Sequence, residues 1–299
     1  MVLSRQTRTI WPLYVMVLPG VVFLLLFRYI PLLGSVIAFQ DYSVFRPLMQ
    51  SPFVGFKHFI LVFSSPDFIR VLGNTLVLAL LGVLFLFPIP IILSLMINEV
   101  GNRYVKKTIQ AALNIPHFLS WVIIGGLTFD LFASHGLFNI IRGWLGLDSL
   151  LLMQHEQYFR PVYVFTALWR EAGWHTIVYL AAMSAIDPQI YESAMVDGAS
   201  PLKQMVSITL PLLMPTAVTL LLLQIGSFLQ LGFDQVFNLL TPMSYSVGDI
   251  IDTFVYRTGV LQARYSYATA IGMFQSVVGL TLVLASNALA KKFTDEGLW

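Results

Sequence analysis

Six apolar stretches organise this chain, each long enough as helix to cross a hydrocarbon layer, which takes about 20 residues. They lie at about 11–39, 71–97, 108–133, 161–186, 208–231 and 268–289. The first is interrupted by Arg28, and the second holds Pro88 and Pro90 near its end. The third and fourth carry Asn114, Asp130, Arg170 and Glu171, which weakens their hydropathy signal. Composition agrees with a membrane-embedded chain: 57% of the 299 residues are hydrophobic and 11% charged, whereas a soluble domain carries about 25% charged residues. Seventeen Lys+Arg and fifteen Asp+Glu cannot cover a soluble surface of this size. A net charge of +2 excludes the basic face of a nucleic-acid binder. The chain has no cysteine, so disulfides, thiol nucleophiles and thiolate metal sites are excluded and the redox compartment stays unread. His58, His117, His135, His155 and His175 show no metal-ligand spacing.

Arg5 and Arg8 precede an apolar run too long for a cleavable signal, so a retained first span is expected. With the N-terminus in the cytoplasm, the inner segments hold Arg5, Arg8, Arg103, Lys106, Lys107, Lys203, Lys291 and Lys292. The outer ones hold Arg46, Lys57, Arg70, Arg142, Arg160, Arg257 and Arg264. The counts are close, but the inner segments are much shorter and their basic clusters sit at span ends, where orientation is decided. Six spans place both termini inside. Three long segments, about 40–70, 134–160 and 232–267, then face outward.

The inner segment 187–207 has unusual content. Asp187-Pro188 is a helix start, an acceptor side chain followed by proline in the first turn. A short helix is expected from Gln189 to Val196, with Gly198 as its left-handed stop. Ser200-Pro201 begins a second helix leading into the fifth span. Ala194 and Gly198 are four apart and share a face on which another backbone can approach closely. Glu192 and Asp197 can answer basic groups on such a partner.

Glu192-Ser193-Ala194, Asp197-Gly198-Ala199 and Ile208-x-Leu210-Pro211 resemble the E-A-A…G…I-x-L-P loop of permease subunits in bacterial ABC importers. Ser193 stands where that pattern has alanine, and it is still small. Leu18-Pro19-Gly20, Phe27-Arg28-Tyr29-Ile30-Pro31, Ile37-Ala38-Phe39-Gln40-Asp41-Tyr42, Val54-Gly55-Phe56, Asn74-Thr75, Asn98-Glu99, Trp169-Arg170 and Gly297-Leu298-Trp299 are similar to the sugar-permease class. Within it, the chain is most similar to permeases for oligo- and polysaccharides, including pectin and alginate fragments.

The resemblance implies an all-α integral membrane protein with six transmembrane helices, the type I importer fold and a cytoplasmic coupling helix. It implies a division into 1–70 (tail, first span and outer loop), 71–290 (a five-helix transmembrane core) and 291–299 (a cytoplasmic tail). Glu192, Ser193, Ala194, Asp197, Gly198 and Ala199 would couple to an ATPase. The implied partners are a second homologous permease in a heterodimer, two ATPase subunits that bind ATP and Mg, and a periplasmic or lipid-anchored binding protein that delivers the sugar. The chain itself would sit in the bacterial inner membrane, hold no cofactor and catalyse nothing. It contains no G-x-x-x-x-G-K-[ST] phosphate loop.

Polar groups at membrane depth face a cavity or one another. The fourth span holds Trp169, Arg170, Glu171, Trp174, His175 and Tyr179, with Arg170 nine residues after Pro161, roughly 13 Å along a helix. Arg170 and Glu171 are expected on different sides, and Glu171 and His175, four apart, as a pair. Trp169, Arg170, Glu171, Gln224 and Gln275 are the candidate pathway residues, with Trp169 and Gln224 foremost for sugar contact. Helix–helix bonding is the competing role for Asn74 and Gln275, and an interhelical lock for the Arg170–Glu171 region. Arg28 is expected to snorkel. Phe53, Phe56, Phe59 and Phe63 suit either a receiving surface for a binding protein or an interfacial aromatic belt. An ion-coupled secondary sugar carrier is the alternative function, but no internal repeat supports it. An intramembrane enzyme would need a catalytic constellation, and no nucleophile or metal set stands near Arg170, Glu171 and His175.

Overall fold

Proline shapes the first rod of the chain. In the computed structural model, which describes residues 3–294, helix α1 (Leu3–Leu24) runs into a π-helical turn (Leu25–Tyr29), α2 (Ile30–Leu33) and a 3₁₀ turn (Gly34–Phe39). Pro31 has no N–H to donate, and its ring crowds the carbonyl four residues back, so the turn before it widens. There the Ile30 N–H donates to the Leu25 carbonyl. The same device recurs before Pro211, where the Leu210 N–H donates to Met205 across a second π turn (Met205–Thr209). The basic side chains of Arg5, Arg8 and Lys292, counted above for orientation, and the terminal Gly297-Leu298-Trp299 fall outside what the structure describes.

The described residues are almost wholly helical and contain no strand; Gln40 and Phe53 form one isolated antiparallel bridge. They divide into two compact units. The first comprises Met1–Ser65, described from Leu3 on, and Val255–Phe274. In it the Phe39 ring packs on Phe53, Phe56 and Phe59, tying the rod to helix α3 (Lys57–Phe63). Phe53, Phe56 and Phe59 thus gather around Phe39 while Phe63 meets Phe274 edge to face, although Phe53 and Phe56 keep large exposed faces.

The second unit comprises Pro66–Phe254 and Gln275–Trp299, described as far as Thr294. Its helices are α4 (Pro66–Leu86), α5 (Pro88–Asn98), α6 (Arg103–Asn114), α7 (Trp121–Phe132), α8 (Leu137–Trp144), α9 (Phe159–Ser184), α10 (Pro188–Val196), α11 (Pro201–Gln204), α12 (Leu210–Gly226), α13 (Phe233–Leu239), α14 (Tyr245–Gly248) and α15 (Ile251–Val255). Helix α16 (Tyr265–Thr294) begins in the first unit. Helix α9 is the hub, packing against α4, α5, α6, α12, α13 and α14. Leu78, Phe159, Val162, Tyr163, Val236, Leu239 and Ile250 form one core cluster, and Leu95, Met183 and Leu213 another.

Close approach is bought with glycine at Gly173. A Cβ there would lie 2.1 Å from the Leu113 carbonyl oxygen, so α6 touches α9 backbone to backbone. Gly125 does the same for α7 against α13, where a Cβ would meet the Asn238 carbonyl at 2.9 Å.

Among the described residues, five stretches are long and apolar enough to cross a membrane: Trp11–Phe39, Pro66–Asn98, Trp121–Trp144, Pro201–Gly226 and Tyr265–Ala288. The stretch expected as one span over 108–133 is instead α6, a 3₁₀ turn (Ile115–Phe118) and α7. Pro116 cannot donate to the ladder, and Ser120 caps α7 by accepting from the Ile123 N–H. The expected fifth stretch also ends early, because α12 stops at Gly226 and Gly232, at φ 86°, starts α13. Asp234 and Asn238 belong to α13. Helix α9 is long enough to cross but is not among the five. It packs against six other helices and still exposes Phe165, Trp169, Trp174, Ile177 and Val178; its polar residues Arg170, Glu171 and His175 lower its mean hydropathy.

Candidate functional site

The 187–207 elbow is built as its residue types dictate. Asp187 accepts from the Gln189 N–H at 2.9 Å, and Pro188 opens α10. At the other end the Gly198 N–H donates to the Met195 carbonyl at 3.0 Å and the Ala199 N–H to the Ala194 carbonyl at 2.9 Å. These paired bonds are a Schellman stop, and they require the left-handed backbone that Gly198 adopts at φ 75°. Ser200 then accepts from the Lys203 N–H, capping α11, and Gln204 Nε2 donates to the Ala199 carbonyl at 2.9 Å. Tyr191 and Thr209 join hydroxyls at 2.9 Å, fastening α10 to the π turn below α12.

The elbow is thus rigid, yet it stands in the open. Glu192, Ser193, Asp197 and Gly198 are exposed, while Ala194 and Ala199 are half-buried. Ile190, Met195 and Val196 expose apolar side chains, Val196 to 88%. Ser193 spends its hydroxyl on the Gln189 carbonyl. Among the described residues, the Glu192 and Asp197 carboxylates carry no ion pair.

The polar face of α9 differs from its expected arrangement. Arg170 and Glu171 are not separated but form an ion pair with each other. Side chains at adjacent positions leave the helix about 100° apart, but the guanidinium is long enough to fold back. Arg170 Nε also donates to the Leu119 carbonyl at 3.0 Å, and its guanidinium lies 4.7 Å over the Trp121 ring. Glu171 pairs with His117 Nδ1 at 3.0 Å rather than with His175. The His117 ring stacks on Trp174 with centroids 4.6 Å apart. His117 sits in the α6–α7 break, 54 residues from Glu171, and no sequence spacing signals that meeting. Arg170, Glu171, His117, Trp121 and Trp174 therefore form one charge-balanced lock between the break and α9.

Gln224 and His175 meet elsewhere. With Tyr179, Ser227, Leu86, Phe87, Leu220 and Leu223 they line a cavity of about 390 Å³ between α9, α12 and the α4–α5 junction. Trp169 is 40% exposed beside the lock and does not line this cavity. Gln275 is buried, donating to the Leu229 carbonyl at 2.7 Å and to Asp252 at 3.1 Å. Asn74 donates to the Ser246 and Asp249 carbonyls. Both amides thus perform the helix-tying role that the sequence left open. Ser227 had no signal in the sequence, because a serine after a glycine at a helix end is ordinary.

Apolar helices of membrane-crossing length, a largely apolar cavity into which His175, Gln224 and Ser227 bring polar groups, and a capped elbow with an exposed apolar tip suit a multi-pass transport permease. Residues 86–295 match the family described as binding-protein-dependent transport system inner membrane component, and the chain belongs to it. Among its relatives is the polygalacturonan/rhamnogalacturonan transport system permease protein YteP of Bacillus subtilis (strain 168). It is 48% identical over 288 residues, covering 96% of this chain and 90% of the relative. Protein LplB of the same organism is 44% identical and covers 96% of this chain and 91% of its own. The chain is also similar to the solved structure of a bacterial ABC transporter involved in the import of the acidic polysaccharide alginate. That match has a TM-score of 0.91 and 40% identity, and covers 98% of this chain and 100% of the other. A second structure, a bacterial alginate ABC transporter in complex with an alginate pentasaccharide-bound periplasmic protein, matches with TM-score 0.92 over 100% of both chains.

Proposed function

We propose that this chain is one permease half of an ATP-driven ABC importer for an acidic oligosaccharide or polysaccharide fragment. A periplasmic or lipid-anchored binding protein hands over the sugar. A second, homologous permease completes the pathway as a heterodimer, and two ATPase subunits on the cytoplasmic side hold ATP and Mg. The chain crosses the inner membrane six times with both termini in the cytoplasm. Helix α9 is the crossing that hydropathy undervalues; 71–290 form the core, and the first span and its loop clasp the partner permease.

The observation that carries this reading is the elbow: a helix capped at both ends, fastened by Tyr191 to Thr209, and exposing Ile190, Met195 and Val196. A rigid protrusion with an apolar tip suits docking into a cleft on an ATPase. When the ATPases close, the load passes through the π turn at Met205–Thr209 into α12, a wall of the Gln224 cavity. Gln224 offers hydrogen bonds to sugar hydroxyls, and Trp169 offers a stacking face. Arg170 is neutralised by Glu171, so it recognises no acid in the pathway.

Because the chain has no cysteine, a single cysteine at Val196 reports its neighbours cleanly. It should crosslink to the ATPase in the assembled complex, and ATPase activity should rise with binding protein loaded with uronic oligosaccharides. A Val196 label that reacts only with lipid or water in the full complex would refute the coupling role. Stimulation by neutral sugars alone would refute the substrate class.

A further inference from the structure

Within the first unit, a cavity of about 250 Å³ is lined by Asp41, Tyr42, Lys57, His58, Leu61, Arg264, Tyr265, Ser266 and Tyr267. It uses none of the pathway or elbow residues. By the span order these residues belong to the outer segments 40–70 and 232–267 and to the outer end of α16. The wall is built rather than accidental. Tyr42 donates its N–H to Ser266 Oγ at 3.0 Å, and the Tyr42 and Tyr265 rings meet edge to face with centroids 6.0 Å apart.

The charges are unevenly used. Lys57 bonds Asp41 at 2.6 Å, and His58 Nε2 sits 3.0 Å from the other carboxylate oxygen. The one carboxylate of the cavity is therefore already answered. Arg264 is exposed and forms no ion pair among the described residues. Its guanidinium lies 4.4 Å from the Tyr267 ring centroid, which orients it while leaving its N–H fork available. The residue before it, Ala263, is held at φ 54°, a left-handed backbone that alanine rarely adopts. A free planar cation, tyrosine rings and hydroxyls around a space for one ring match the chemistry of a sugar carboxylate. The fork takes the carboxylate and an aromatic face takes the pyranose.

We propose that this cavity is an outer subsite for a single uronic acid residue, with Arg264 as its carboxylate ligand. The proposal rests on the acidic-saccharide reading above, and the two are separable. The probe is digalacturonate, with a neutral disaccharide of equal length as control. Binding is measured by saturation-transfer NMR on the purified full complex in nanodiscs without binding protein. Digalacturonate should bind, the neutral disaccharide should not, and Arg264→Gln should weaken binding about tenfold, the loss of one charge-assisted contact. Arg264→Lys, which keeps the charge without the fork, should fall between.

Equal binding of both sugars, or no effect of Arg264→Gln, overturns the subsite. It is also overturned if Arg264→Gln instead weakens binding-protein affinity and leaves free saccharide unaffected, because the surface then docks protein. Uptake by the wild-type complex with binding protein tests the other reading. Import of neutral sugars alone removes the substrate class, whereas import of uronic sugars indifferent to Arg264 removes only the subsite.

Discussion

Substituting Gly198 separates a folding effect from a coupling effect. Its φ of 75° makes any side chain other than a small polar one strained, at about 1–2 kcal/mol for an ordinary L-residue. A Cβ at this position would have nothing within 4 Å. In the free chain, Gly198→Leu should therefore cost no more than Gly198→Ala. Gly198→Asn should cost least, because asparagine tolerates the left-handed region. The stability order is then Asn first, with Ala and Leu together. If the elbow sits in a cleft on an ATPase, the uptake order follows bulk instead: Ala, then Asn, then Leu. The assay is uptake and ATP hydrolysis in proteoliposomes holding the full complex, with thermal stability read on the same preparations. Leu should hydrolyse ATP with little uptake, while the complex stays assembled. Uptake that follows the stability order, or equal uptake by all three, would refute the reasoning.

Other expectations follow from the same geometry. Gly173→Ala forces α6 off α9, an overpacking cost of about 1–3 kcal/mol, whereas Gly126→Ala, with nothing within 4 Å, should be nearly neutral; thermal unfolding of the purified complex compares them. Gln224→Leu should lower uptake several-fold without altering assembly, read by transport against pull-down. Glu171→Gln leaves Arg170 and His117 without their shared acid, so it should destabilise the complex more than His117→Gln does. The Lys57 hydrogen bond holds the Asp41 carboxyl below its ordinary 3.8, opposed by burial and aided by His58. A depressed carboxylate stabilises fully above 3.8 and loses that contribution as pH falls through its folded value. The protection of Asp41 over Asp41→Asn, measured by hydrogen exchange in 40–58, should thus persist above pH 3.8 and be lost as the pH falls below it.

Local rules made the elbow readable. Asp187-Pro188, Gly198 and Ser200-Pro201 are signals whose mechanism spans four residues or fewer, and each did in the structure what its chemistry requires. The polar face of α9 obeyed no local rule. Helical spacing offered Glu171 to His175, but the partner that won, His117, comes from a break made by Pro116 far along the chain. The division of 108–133 had a visible cause in Pro116, and apolar content on both sides masked it. Gly173 looked ordinary in sequence, because nothing there says that a carbonyl of α6 lies where its Cβ would be.

The packing of α9 against six helices also bears on how the chain is made. A segment with an arginine and a glutamate near its middle meets a cost of about 2.5–3.5 kcal/mol for a central charge when it partitions alone from the translocon. The groups that relieve that cost, His117, the Leu119 carbonyl and Trp121, are synthesised earlier, but α12, on another flank, emerges later. If α9 crosses the membrane as proposed, it is expected to leave the translocon together with the earlier helices that receive it. Variants at His117 should show first as a biogenesis defect, with chains cleared by quality-control proteolysis before any transport step is tested.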